Sequence, residues 1–430
     1  MGSIQLYPEL YLVIFDRLHA WNRKKADLLN VCRTSRLFHE LAEPLLFADI
    51  VLKTDDSEFG IDTRTRALLR DLTSRTETRQ WVKSVKIKIT SHRDDDKGIN
   101  HIADVFVQLH NLRDIVFRYI NLTRSMIQHL LRLSHPFRLN CWHVGCATKV
   151  EDLVSDTRNL PITGLIVSGV RKPNAVSLIT RLALGPHLSV LDLGPFDWPY
   201  IYPGLLQNPY HNFDSLRRLE VHEPVGHADM TGFLSLLASC PYLSHLKIAY
   251  PSLISEKSYR PLFLPPSYIP HLSSVEAPND LAGLLVRGRP VQSLRLTSRT
   301  TINLDRGFLS QLKEGSASLR ELDVDGFVWR DDVLLDIAEY LPALQNLRVR
   351  FVNTKDFERM IEQLASGVQR LSPLQRFVMY GSLPLFPVDP NILNPLLEAV
   401  NVRLAHIGFR LGTEPSNDEM RWVFFPLSQL

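Results

Sequence analysis

From residue 81 onward the chain repeats one short pattern, apolar-x-x-apolar-x-apolar, with a polar residue between the last two apolar ones in most copies. Val82-x-x-Val85-x-Ile87 is one copy, and Leu216-x-x-Leu219-x-Val221, Leu243-x-x-Leu246-x-Ile248, Leu319-x-x-Leu322-x-Val324 and Leu344-x-x-Leu347-x-Val349 are others. Alternation over two residues is the period of a strand with one buried face. The central apolar residues fall at 85, 115, 141, 165, 191, 219, 246, 275, 294, 322, 347, 377 and 407, and a further strand is predicted at Phe47–Lys53. Between the strands the spacing changes to that of a helix: Ile102, Val105, Phe106 and Leu109 share one face. So do Met126, Leu130 and Leu133; Val333, Ile337, Ala338 and Leu341; and Phe357, Ile361, Leu364 and Val368. Each strand–helix unit carries an apolar face that it can bury only against its neighbours.

The mean spacing, about 27 residues, lies within the 20–29 of leucine-rich repeats. The predicted fold class is therefore α/β, with about thirteen leucine-rich repeats stacked as a solenoid over residues 47–430, strands on its concave face and helices on its convex face. Prolines at 251, 261, 265, 266 and 270 exclude a helix interior or a central strand, so residues 250–270 are predicted to form a surface loop.

The first fifty residues read differently. Pro8 and Glu9 suit the first turn of a helix. Leu10, Leu12, Val13, Ile14, Phe15 and Leu18 then make it apolar over more than the stripe one core requires. Two more helices are predicted, from Asp27 to about Thr34 and from Ser35 to about Glu43. In Leu6, Pro8, Glu9, Leu10, Ile14, Leu18, Leu28, Val31, Cys32, Arg33 and Phe38, residues 1–46 resemble an F-box. Tyr7 stands where many members have a proline, Ser35 where a tryptophan often follows the Cys-Arg pair, and the loop 19–26 is somewhat long. The resemblance implies a three-helix module that docks a Skp-type adaptor and, through it, a cullin. It implies the target-recognition subunit of an SCF-type E3 ubiquitin ligase, performing no chemistry itself, with the repeats holding a target protein. An F-box/repeat scaffold working without ubiquitin transfer remains the alternative.

By that register the target would meet outward polar residues of the strands, including Arg113, Arg218, Glu220, Lys247, Arg295, Asp323, Arg348 and Arg350. The net charge of +3, from 49 basic and 46 acidic residues, argues against a dedicated nucleic-acid or membrane surface. No eighteen-residue apolar run is present and no secretory leader opens the chain, so an intracellular, reducing location is expected. The four cysteines are too scattered for capping disulfides.

Phosphate-loop, dinucleotide, nucleophile-elbow and zinc-protease motifs are absent. Cys141, His143 and Cys146 come nearest to a metal cluster, but C-x-H-x-x-C lacks the paired spacing of a zinc site. No metal or cofactor is therefore expected. Asp94–Asp96 reads as a turn tip, and Arg64, Arg66 and Arg70 as a solvated helix face.

Overall fold

The computed structural model describes residues 10–11, 13–15, 25–54, 61–89, 102–146, 157, 160–170, 172–194, 197–207, 213–222, 227–249, 264–297, 302, 304–315, 319–327, 330, 332–351, 363, 366–367, 370–371, 373–381, 406–411 and 421–426. They belong to two compact units, residues 1–211 and 212–430.

In the first unit, β1 (Asp49–Thr54), β2 (Ser84–Ile89), β3 (Asp114–Arg118), β5 (Phe137–Trp142), β7 (Ile162–Ser168) and β8 (Val190–Leu193) pair in that order, all parallel. Two short strands, β4 (Asn121–Leu122) and β6 (Gly145–Cys146), form a separate parallel pair beyond the ends of β3 and β5. In the second unit, β9 (Arg218–His222), β10 (His245–Ala249), β11 (Ser274–Pro278), β12 (Ser293–Thr297), β13 (Glu321–Phe327), β14 (Asn346–Phe351), β15 (Arg376–Gly381) and β16 (His406–Leu411) are again parallel and sequential. Parallel neighbours need a crossover, and helices supply many of them. Among these are Arg124–Leu131, Pro173–Ala183, His227–Ala238, Asn279–Val286, Arg306–Gly315 and Val333–Tyr340. This is the strand–helix order of leucine-rich repeats. All thirteen expected strand centres lie in strands. The last strand, β17 (Arg421–Pro426), runs antiparallel to β16 and departs from the repeat.

Register aligns the inward side chains into columns. Ile50, Val85, Ile115, Leu139, Leu165 and Leu191 form one in the first unit, all buried. Here the expected centre at residue 141 is corrected to Leu139, because Cys141 pairs with Phe117 and Val167 in the next inward column. The local text Phe137-x-Leu139-x-Cys141 alternates throughout, so nothing in it marks which apolar residue comes first. In the second unit Leu219, Leu246, Val275, Leu294, Leu322, Leu347 and Phe377 line up in the same way.

Three first-unit repeats share a turn. Tyr119, His143 and Gly169 follow β3, β5 and β7 directly, with φ of 58°, 52° and 78°. The Tyr119 N–H donates to the Trp142 carbonyl at 2.9 Å, and the His143 N–H to the Ser168 carbonyl at 2.6 Å. The Tyr119 and His143 rings stack at 5.1 Å with planes 1° apart. The His143 ring in turn covers Gly169, where a Cβ would come within 2.3 Å of Nδ1. Gly169→Ala is therefore expected to cost about 1–2 kcal/mol from the left-handed backbone alone, with the His143 clash added. Thermal unfolding should show the loss, and adding His143→Ala should recover only the clash.

The amino-terminal helices differ from expectation in extent. The second spans Lys25–Cys32, and the third spans Arg36–Ala48, running through Pro44 instead of ending near Glu43. Its N-cap is Ser35, whose Oγ accepts from the Phe38 N–H at 3.1 Å. A proline inside a helix costs about 3 kcal/mol. Leu41, Ala42, Leu45 and Leu46 bracket Pro44 and pack with Phe15 and Leu28, which offsets that cost.

Of the proline-rich stretch, residues 250–263 lie outside the described residues. Residues 264–270 form turns rather than a helix or strand, with Pro266, Ser267 and Pro270 exposed and Leu264 and Ile269 buried. Asp94–Asp96 and the helix expected around Phe357–Val368 also lie largely or wholly outside them.

Candidate recognition surfaces

The amino-terminal helices build a small core of their own. Phe15, Leu28 and Ala42 are buried, with Tyr11, Val31, Cys32, Phe38 and Leu41 against them. Phe15 and Phe38 meet edge to face at 5.6 Å, and Tyr11 lies 4.9 Å from Phe38. This core leaves other apolar side chains in water: Leu10 is 47% exposed, Val13 55%, Ile14 44%, Leu29 46% and Leu37 43%. The expected docking residues are thus divided. Leu28 is core, Val31, Cys32 and Phe38 are half-buried, and Leu10 and Ile14 face solvent. Leu6, Pro8, Glu9 and Leu18 lie outside the described residues.

A second surface is the outward face of the second unit's strands. Register places Glu220, Lys247, Glu276, Arg295, Asp323 and Arg348 side by side across β9 to β14, so the sign of charge alternates at every strand. Lys247 pairs with Glu220, and Arg218 lies 3.5 Å from Glu220. Arg295 bridges Glu276 at 3.7 Å and Asp323 at 3.6 Å, and Arg348 reaches Asp323 at 3.5 Å. Opposite charges on adjacent strands stabilise the sheet modestly, and exposed pairs contribute about 0–1 kcal/mol each. A groove of about 300 Å³ lies over β11 to β15, rimmed by Ser274, Ser293, Glu321, Asn346 and Arg376 as well as the ladder.

Five of the expected target-facing residues therefore belong to one ladder, with Arg218 beside its start and the exposed Arg350 two residues beyond Arg348. Arg113 does not belong to it: it lies in the first unit, just ahead of β3, its N–H bonded to the Lys83 carbonyl at 2.7 Å. Glu276 is the member that sequence reasoning missed. Its one signal was a polar residue between Val275 and Ala277 in an irregular copy.

Chemistry is sparse on these faces. Cys141 and Cys240 are buried core residues whose thiols burial pushes up to about 12, so they stay protonated. His143 is exposed and stacked under Tyr119 rather than turned toward Cys141. Among the described residues, no group of three or more His, Cys, Asp or Glu converges as metal ligands would. None of their helices is long and apolar enough to cross a membrane.

No protein-family model matches the chain, and no curated protein matches it. Among solved structures it is similar to TLR13 in its complex with ssRNA13, at 14% identity and a TM-score of 0.41, covering 87% of this chain and 48% of that one. It is also similar to a protein from Bacteroides fragilis, at 12% identity and a TM-score of 0.25, covering 81% and 72%. The chain spans about half the length of the TLR13 chain. The parallel register and strand–helix order are consistent with a leucine-rich-repeat solenoid.

Proposed function

We propose that this chain is the target-recognition subunit of an SCF-type E3 ubiquitin ligase. Residues 1–46 act as the F-box that docks a Skp-type adaptor, and residues 47–430 present the repeats to a target protein. The observation that carries the reading is the apolar surface left over on the amino-terminal helices. Their core closes on Phe15, Leu28 and Ala42, yet Leu10, Val13, Ile14, Leu29 and Leu37 remain about half exposed. A helical module that has a core of its own and, among its described residues, a further apolar face fits one that is finished by a partner. The strand faces add polar, charge-paired surfaces suited to protein recognition. The subunit would accelerate ubiquitin transfer by holding the target close to a loaded conjugating enzyme, through effective concentration and orientation.

Affinity capture of the full chain, compared with a chain beginning at Phe47, tests this. The adaptor and cullin should be captured by the full chain alone, and target proteins by both. Absence of the adaptor from the full-chain capture would overturn the ligase reading. Adaptor without cullin would leave a scaffold that works without ubiquitin transfer.

A further inference from the structure

The outward face of the first unit is organised unlike the ladder of the second. Lys53, Lys88, Arg118 and Trp142 are register partners on β1, β2, β3 and β5. Three positive charges thus stand on successive strands with no acid between them. Lys53 and Lys88 are exposed, the Arg118 guanidinium lies 5.0 Å from the centre of the Trp142 ring, and Trp142 is 37% exposed. Among the described residues, the Arg118 Nε has no hydrogen-bond partner. Like charges directly opposite one another destabilise a sheet. The acids of the same strands, Asp49 and Asp114, sit four residues back, about 13 Å away at strand rise. That exceeds the screening length of about 8 Å at physiological salt. The second unit shows that alternating signs can be accommodated on such a face; here they are not.

We propose that this row is a docking site for an acidic peptide segment of a target protein, a proposal that rests on the recognition role above and names its partner class. The adjoining outward column favours a peptide over a nucleic acid. In register it runs from Val51, 48% exposed, through half-buried Lys86, Val116, Asn140 and Ile166, so aliphatic side chains alternate with polar ones beside the basic row. An extended segment alternating carboxylates with aliphatic side chains meets both columns. Its carboxylates face Lys53, Lys88 and Arg118, which span two strand spacings or about 10 Å, and its end packs on Trp142. The net charge of +3 also offers little long-range pull on a polyanion.

The test is fluorescence anisotropy on the purified full chain. The probes are a fluorescein-labelled peptide repeating Glu-Ser-Glu-Val, a Lys-Ser-Lys-Val counterpart and labelled oligothymidylate. The acidic peptide should bind, more weakly as salt rises. Lys53→Gln with Lys88→Gln should weaken it about tenfold, and Trp142→Ala should weaken it too. Arg132→Gln with Lys313→Gln, which removes equal charge from exposed positions off this row, should not. Lys88→Gln should also raise the melting temperature, since it relieves like-charge repulsion while removing a binding group. The proposal is overturned if the acidic peptide does not bind or if both charge variants weaken it equally. Tighter binding of oligothymidylate would reassign the row to nucleic acid. Binding that emerges only after Asp94→Asn, Asp95→Asn and Asp96→Asn would make that run the occupant and overturn it as well. None of these assays involves the adaptor, so failure of the ligase reading leaves their outcome intact.

Discussion

Replacing Leu10 and Ile14 together by alanine is expected to abolish capture of the Skp-type adaptor without unfolding the amino-terminal helices. Both side chains are about half exposed, at 47% and 44%, so their removal takes little from the core. Substitutions at such positions usually change stability by no more than about 0.5 kcal/mol. At an interface anchor the same truncation costs about 2 kcal/mol or more, and two anchors together would weaken capture by about a thousandfold. Phe15→Ala gives the contrast. That ring is 4% exposed and wedged against Phe38, and its loss should cost about 3–5 kcal/mol of folding stability. Circular dichroism on both variants, alongside adaptor binding by calorimetry, separates the outcomes. Full adaptor affinity in a folded Leu10→Ala, Ile14→Ala double variant would remove those residues from the interface.

A stability effect as large as that of Phe15→Ala is expected at Arg289, in the second unit. Its side chain is 2% exposed and donates to six main-chain carbonyls. Those of Leu284, Leu285 and Arg287 lie at the C-terminal end of the helix Asn279–Val286, where the dipole favours a cation. Those of Leu264, Pro265 and Tyr268 belong to the segment packed beside it. The same segment holds Ile269 at a φ of 48°, a conformation unfavourable for a β-branched residue.

One guanidinium thus ties a strained segment to a helix end. Arg289→Met keeps much of the volume but orphans buried acceptors, and should cost about 3–5 kcal/mol in urea unfolding. Arg289→Lys retains the charge without the planar fork and should recover only part of the loss. Burial pushes the guanidinium down to about 10, so it remains charged at neutral pH. Because its folded pKa lies below the unfolded value of 12.5, the cost of burying the charge is constant below about pH 10 and relieved only above it. The effect of Arg289→Met should therefore not vary between pH 6 and 9. A loss below about 1 kcal/mol would show that the segment does not depend on this residue.

Sequence reasoning found the strands because strand burial is a local pattern. A residue such as Leu246 is apolar because its own alternate neighbours are inward, and no knowledge of its partner strand is needed. Helix extent was less legible. Pro44 reads as a stop, and only the packing of Leu41, Leu45 and Leu46 on Leu28 shows why the helix continues. The proline-rich stretch was legible as irregular backbone over residues 264–270, but that Leu264 and Ile269 turn inward and that its carbonyls meet Arg289 was not. The residues of the amino-terminal helices were legible as apolar, yet their division into Phe15 and Leu28 inside and Leu10 and Ile14 outside was not.

What the sequence by itself determined is the identity of the repeating unit, its α/β class and the face each strand residue points to, since all follow from spacings of a few residues. What only the tertiary structure decided is which charges meet. Glu276 and Arg295 are nineteen positions apart, and Lys53 and Lys88 thirty-five, yet register makes each pair neighbours. One pairing neutralises and the other accumulates charge. That difference is set by crossover lengths and helix packing, which fix the register between strands and leave no periodic trace in the chain.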